Sequence, residues 1–198
     1  MLTRASLGGR PARPAFARAG TVSAMVIALC AVPAAAADFV LRSSAFDDNG
    51  KMTLKNAGNR KGNANCIGEN VSPPLRWSNV PEGTRSFALL LVDPEGAGGL
   101  GVVHWVAYGI PASVSGFSEG EVSQPSDKYV GGKGTAGLST YQGPCPPPGD
   151  WHHYTFTLIA TDLEPGALQP GLTRDELMAA LKGHATRAAG LIGRFTHP

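Results

Sequence analysis

The sequence predicts a β-rich fold, mainly β with minor α. Three observations carry that expectation. Twenty-six glycines and sixteen prolines sit between short apolar runs, and such punctuation marks strands and ordered loops rather than a helical bundle. Three of the runs are apolar on both faces, as strands at the centre of a covered sheet are. The clearest helix-start signature comes only late in the chain.

The first segment is read as a leader. Residues 1–20 carry Arg4, Arg10, Arg13 and Arg18 and no acid, an apolar run extends from Thr21 to Val32, and Ala34-Ala35-Ala36-Ala37 closes it. A basic start, a short apolar stretch and small residues before a cleavage point describe a secretory signal peptide. Cleavage is expected after Ala37, leaving one domain over 38–198. The run is too short and too alanine-rich for a stable membrane span, which needs about 20 apolar residues. An uncut anchor and an Arg-rich mitochondrial transit peptide are the alternatives; the compact apolar run and the alanine box favour secretion. The expected location is the periplasm or the exterior. Removing the leader takes away four of 17 basic residues and none of the 15 acidic ones, so the formal net charge passes from +2 to −2. Nothing in the remainder suggests a nucleic-acid footprint, which needs clustered Lys and Arg on the mature domain.

Along the mature part, residues 38–45 alternate weakly and are expected to form a first strand, turned by Asp47-Asp48-Asn49-Gly50. Ser86–Val92, Gly101–Ile110 and Tyr154–Ala160 are the three central strands. Thr173 and Glu176 fit a capping box, and Leu172 with Leu177 fit a hydrophobic staple. Leu177, Met178 and Leu181 give the helix its apolar stripe, and Gly183 ends it. A second short helical turn is expected near His184–Ala189, and a last strand over Leu191–Phe195. Of three cysteines, Cys30 lies in the leader. Cys66 and Cys145 remain, and an even pair in an exported protein favours a disulfide over two buried thiols.

Each central strand carries a polar residue at or near an end: Asp93 after the first, His104 within the second, His152 before the third. Alternation along a strand puts His104 on the face of Val102 and Val106, opposite Trp105, and puts His152 on the face of Tyr154, opposite His153. Such groups at the ends of buried strands are costly unless paired or solvated in a pocket. A carboxylate beside a histidine fixes the ring and favours imidazolium, and imidazolium with loop N–H groups makes a seat for phosphate or carboxylate. The proline-rich loop Thr140–Gly149 is suited to wall such a seat, because its prolines lose little further entropy on ordering. Read singly, each residue is a structural hydrogen bonder; together, beside rigid turns, they indicate a site. H-E-x-x-H, G-x-S-x-G and phosphate-loop patterns are absent. Asn70-Val71-Ser72 matches a glycosylation triplet but is better read as part of a turn before Pro73.

These residues resemble a known family. Gly68-Glu69-Asn70-Val71-Ser72-Pro73-Pro74-Leu75-Arg76-Trp77 is similar to G-x-N-[IV]-S-P-x-L-x-W. Val80-Pro81-Glu82-Gly83-Thr84-Arg85-Ser86-Phe87 follows V-P-x-G-T-K-S-F. Asp93-Pro94-Glu95 stands at D-P-D-A-P, and His104-Trp105-Val106 at H-W-V. Gly143–Gly149, then His152-His153-Tyr154-Thr155-Phe156, resembles G-P-x-P-P-x-G…H-R-Y-x-F. The pattern belongs to the phosphatidylethanolamine-binding protein family, closest to its bacterial Raf-kinase-inhibitor-like branch of the YbhB/YbcL type. The resemblance implies a large, antiparallel-dominated central sheet with a smaller sheet and a C-terminal helix. It also implies a pocket for phosphate, acetate or phosphoethanolamine, formed by Asp93, His104, Pro147, His152 and Tyr154, with Tyr141 and Pro144 in the adjoining loop. Glu95 falls at the family's second pocket acid, one methylene longer, as a candidate rim residue. Gly96-Ala97 replaces the Ala-Pro that follows it, and His153 replaces the arginine of H-R-Y.

The function expected is that of a non-enzymatic binding protein for small anions and phospho-headgroups, without cofactor, monomeric or homodimeric. Inhibition of a protease or kinase, or another protein partnership, is the alternative, carried by Gly96–Gly101 or Pro146–Gly149. A metal-dependent hydrolase ranks last, with Asp93, His104 and His152 as a two-histidine, one-carboxylate set.

Overall fold

The computed structural model describes residues 1–3, 9 and 37–198. The leader expected over 1–37 falls almost wholly outside them. Among the described residues no helix is long and apolar enough to cross a membrane.

The β-rich expectation holds. In chain order the elements are β1 (Val40–Arg42), β2 (Gly50–Lys51), β3 (Leu75–Ser78), β4 (Ser86–Asp93), the single distorted turn α1 (Gly96–Gly99), β5 (Val102–Pro111), β6 (Gly116–Phe117), β7 (Val130–Gly131), β8 (His152–Thr161), α2 (Arg174–Ala180) and β9 (Ala185–Phe195). A six-stranded sheet runs β2-β9-β8-β4-β5-β7 and a three-stranded sheet β1-β3-β6. Pairing is antiparallel throughout except between β2 and β9.

Alternation along the central strands divides the core in two. Phe87, Leu89 and Leu91 of β4, Trp105 and Ala107 of β5, and Tyr154, Phe156 and Leu158 of β8 face the small sheet, where they meet Leu41, Leu75, Trp77 and Phe117. Trp77 packs edge-on against Phe87 at 5.5 Å, and Trp105 against Phe117 at 5.9 Å, so aromatic rings knit the two sheets. The opposite face presents Ala88, Leu90, Val106, Tyr108 and Ile159 to α2. Each fully buried large side chain contributes roughly 1.5–3 kcal/mol, which is why strands apolar on both faces lie at the sheet's centre.

Helix α2 begins as expected: Thr173 accepts from the Glu176 amide, and the Glu176 side chain accepts from the Thr173 amide. Three details differ from the sequence reading. The buried pair on α2 is Leu177 with Leu181, one turn apart, while Met178 is 42% exposed. The helical turn expected near His184–Ala189 is instead the start of β9, because Ala185–Ala189 takes its backbone partners from Thr161–Leu158 of β8. The first strand is short, Val40–Arg42; the turn after it closes as expected, with Gly50 N donating to Asp47 O at 2.7 Å.

Candidate functional site

Antiparallel pairing sets the C-terminal end of β4 beside the N-terminal ends of β5 and β8, with Asp93 opposite Val102 and Val92 opposite Thr155. Strand-end residues from three runs that are distant in sequence therefore meet at one end of the large sheet.

His104 reaches this place through a β-bulge. Leu91 pairs with Trp105, but Val92 pairs with Val103, so His104 is an extra residue in β5. A bulge re-aims the side chain it inserts. His104 therefore lies with Trp105 on the side of the larger core, its ring edge-on to Tyr154 at 5.2 Å, rather than on the Val106 face that simple alternation predicts.

Asp93 anchors the site. The residue is 3% exposed. Its Oδ1 accepts the backbone N–H groups of Glu95 at 3.0 Å and Gly96 at 2.9 Å, and its Oδ2 accepts from His152 Nδ1 at 2.8 Å. Gly96 has to be small here: a Cβ would stand 2.6 Å from Val102 Cγ2 and 3.1 Å from Asp93 Oδ2. With Nδ1 donating to Asp93, His152 keeps Nε2 for the cavity. His104 donates its Nδ1 proton to the Gln142 carbonyl at 2.9 Å, because a carbonyl can only accept, and likewise keeps Nε2. Burial holds His104 below the ordinary histidine value, against the raising effect of the Gln142 carbonyl and of Asp93, so its neutral form is favoured.

Glu95 turns toward the opposite neighbour. Its carboxylate accepts from the His153 amide at 3.1 Å and from His153 Nδ1 at 2.7 Å. Burial works against its ionisation, but these bonds prevail and hold it below the ordinary carboxylate value. One donor atom each from Asp93, Glu95 and His152 lies within 4.8 Å of the others; His104 is not part of that group.

The wall comes from two loops. Cys66 and Cys145, 79 residues apart, are joined, which ties the segment carrying Arg60 and Asn63 to the proline-rich loop. Gly58 allows the approach, since a Cβ there would stand 2.4 Å from Cys145 Sγ. Asn70 clamps the same loop, donating to the Tyr141 carbonyl at 3.2 Å and accepting from the Gly143 amide at 2.8 Å. The cavity so enclosed is about 240 Å³.

Of the candidate residues, Asp93, His104, Pro147 and His152 line the cavity, while Tyr141, Pro144, Tyr154 and Glu95 do not. Tyr141 lies behind the wall and gives its hydroxyl to the Asn56 carbonyl at 2.8 Å. Tyr154 is buried beneath the two histidines, its hydroxyl close to the Asp93 carboxylate; burial, and then that carboxylate, push its ionisation far up. Sequence reasoning missed Arg60, Asn63 and Thr135, which line the cavity, while Gln142 lines it from within the Thr140–Gly149 loop expected to form a wall. Only the Cys66–Cys145 pairing hinted that the Arg60 segment belongs here.

The chain is similar to known proteins in sequence and in fold. Residues 42–196 match the family model described as phosphatidylethanolamine-binding protein. A UPF0098 protein of Methanothermobacter thermautotrophicus is 35% identical over 157 residues, covering 78% of this chain and 97% of that protein. LppC of Mycobacterium tuberculosis, whose name calls it a lipoprotein, is 39% identical over 133 residues, 66% of this chain and 62% of that one. The crystal structure of Escherichia coli YbcL, described as a new member of the mammalian PEBP family, superposes with a TM-score of 0.71 at 30% identity, covering 81% of this chain and 99% of that one. Motifs, fold and relatives agree, and the chain belongs to the phosphatidylethanolamine-binding protein family.

Proposed function

We propose that this protein is an exported binding protein for small phosphate-bearing anions, phosphoethanolamine among them, held in the cavity at the end of the large sheet. The observation that carries the reading is that Arg60, His104 and His152 line one cavity, the Arg60 charge near enough to act on His104 and each ring fixed through Nδ1 and left with Nε2. Arg60 supplies charge and paired donors suited to phosphate. The histidines supply orientation: Nε2 of a neutral ring accepts a phosphate O–H, or takes up a proton and donates to the dianion.

Export is supported by the leader-like start and by the joined cysteines, which oxidising compartments favour. The reading is of binding without catalysis. Two lining residues of nucleophile type are already committed: Thr135 Oγ1 accepts from the Val103 amide at 2.9 Å, and Cys145 is bonded to Cys66. A second reading, docking to a protein partner, rests on Leu100, which stands 90% exposed beside the glycine-rich turn.

Isothermal titration with phosphate and phosphoethanolamine tests the proposal. One site per chain is expected, with His152→Ala and His104→Ala each at least tenfold weaker, equivalent to about 1.4 kcal/mol. If no anion binds, the cavity reading fails and the Leu100 surface becomes the better candidate.

A further inference from the structure

A second hollow adjoins the anion cavity, and the residues assigned to anion binding do not use it. This groove is about 480 Å³, with Val92, Pro94, Leu100 and Val103 as its apolar lining. Val92 and Val103 belong to the side of the large sheet that packs on α2.

The two hollows share a border. Val103 and Thr135 line both. Two hydrogen bonds fix that ridge: Val103 N donates to Thr135 Oγ1 at 2.9 Å, and Thr135 N donates to the Val103 carbonyl at 2.8 Å. The turn after β4 also borders both, with Gly96 and Ala97 on the cavity and Leu100 on the groove.

We propose that the groove receives a short apolar tail carried by the bound phosphate, so that the favoured ligand is a phosphoester bearing an alkyl group of a few carbons. The inference rests on the reading that the cavity takes phosphate-bearing anions. Leu100 carries the argument. It is 90% exposed, whereas no other large apolar side chain described over 37–198 exceeds 47%. A leucine so placed gains by being covered. A molecule anchored in the cavity need only cross the Val103–Thr135 ridge to cover it. One small ligand then fills both hollows, while a protein partner resting on Leu100 accounts for the groove alone. Size agrees: the cavity by itself, about 240 Å³, falls below the roughly 300–1,000 Å³ of a usual ligand site, and cavity with groove falls within it.

The lining also sets the character of the tail. Two valines, a proline and a leucine suit hydrocarbon. The remaining side chains limit its length: Arg174 is paired with Asp175 at 3.0 Å, and Lys133 is exposed beside them. Covering charged groups with hydrocarbon is costly, so a long chain gains nothing beyond the apolar part.

Isothermal titration with inorganic phosphate and with butyl, hexyl and decyl phosphate tests the groove. Hexyl phosphate should bind about tenfold more tightly than inorganic phosphate, with butyl phosphate between them and decyl phosphate no better than hexyl. Phosphoethanolamine, whose tail is charged, should match inorganic phosphate. Leu100→Ser should abolish the hexyl advantage and leave inorganic phosphate unchanged; the side chain is exposed, so the variant folds. Val80→Ser, at an exposed apolar residue that lines neither hollow, should change nothing. His152→Ala should weaken hexyl phosphate as much as it weakens phosphate, because the head still anchors the ligand. Equal affinity for phosphate and hexyl phosphate, or an advantage that survives Leu100→Ser, overturns the inference and leaves the anion reading standing, with the Leu100 surface passing to a protein partner. A further gain at decyl phosphate overturns the short tail and assigns a lipid. No binding by any of these compounds overturns the anion reading and the inference together.

Discussion

Asp93 Oδ2 accepts the Nδ1 proton of His152 at 2.8 Å while its Oδ1 holds the amides of Glu95 and Gly96. One buried carboxylate therefore fixes both the turn after β4 and the tautomer of a ring on β8. In Asp93→Asn a single oxygen remains to serve the two amides, and an amide N–H meets the His152 N–H. The ring must move its proton to Nε2 or lose its partner. The expected loss is about 1–3 kcal/mol of stability in urea unfolding, with nitrogen NMR showing the changed tautomer. Unchanged stability and tautomer would remove Asp93 from its anchoring role.

Burial holds His104 below the ordinary value of 6.5. A group whose folded-state pKa is depressed leaves stability whole above the unfolded value and erodes it as pH falls through the folded one. The urea midpoint of the wild type should therefore fall as pH drops below about 6.5, and His104→Gln should flatten that slope. Glu95, also depressed, acts in a separate window below its ordinary value of 4.5. Parallel slopes for wild type and His104→Gln would contradict the assignment.

The bond between Cys66 and Cys145 closes 79 residues. In the chain-entropy model its loss costs roughly 4 kcal/mol, so Cys66→Ser should lower the melting temperature well below that of the native protein. Because Cys145 lines the cavity and the bond tethers the Arg60 segment, phosphate affinity should fall as well. Measuring both in reduced and oxidised wild type separates a stability loss from a loosened wall.

Arg60 lines the cavity from an exposed loop. Arg60→Gln keeps hydrogen-bonding capacity and removes the charge. Phosphate affinity should drop about tenfold, or about 1.4 kcal/mol, and its dependence on salt should weaken. The unfolding midpoint should stay unchanged, since no salt bridge involving Arg60 is present among the described residues. An unaltered affinity would exclude the guanidinium from the anion's shell.

Local signals in the sequence reached far. The Thr173–Glu176 cap is spelled out by four consecutive residues, and Asp93, His104 and His152 stand out because polar groups end apolar runs. What escaped depends on partners remote in the chain. The face of His104 is decided by a register shift between β4 and β5, which no single-strand periodicity reveals. The stretch Ala185-Thr186-Arg187-Ala188-Ala189 suits a helix by intrinsic propensity, but its pairing with β8 prevails. Arg60 sits in a polar loop without periodicity, and its segment is brought to the cavity by partners remote in the chain, the Cys66–Cys145 crosslink and the Gly58 amide donating to the Pro144 carbonyl at 2.8 Å.

The most direct test of the anion-binding account is a crystal structure of the protein soaked with phosphoethanolamine. The account predicts the phosphate within hydrogen-bond reach of Nε2 of both His104 and His152, with the Arg60 guanidinium beside it. A ligand bound elsewhere, or an empty cavity at saturating concentration, would contradict it.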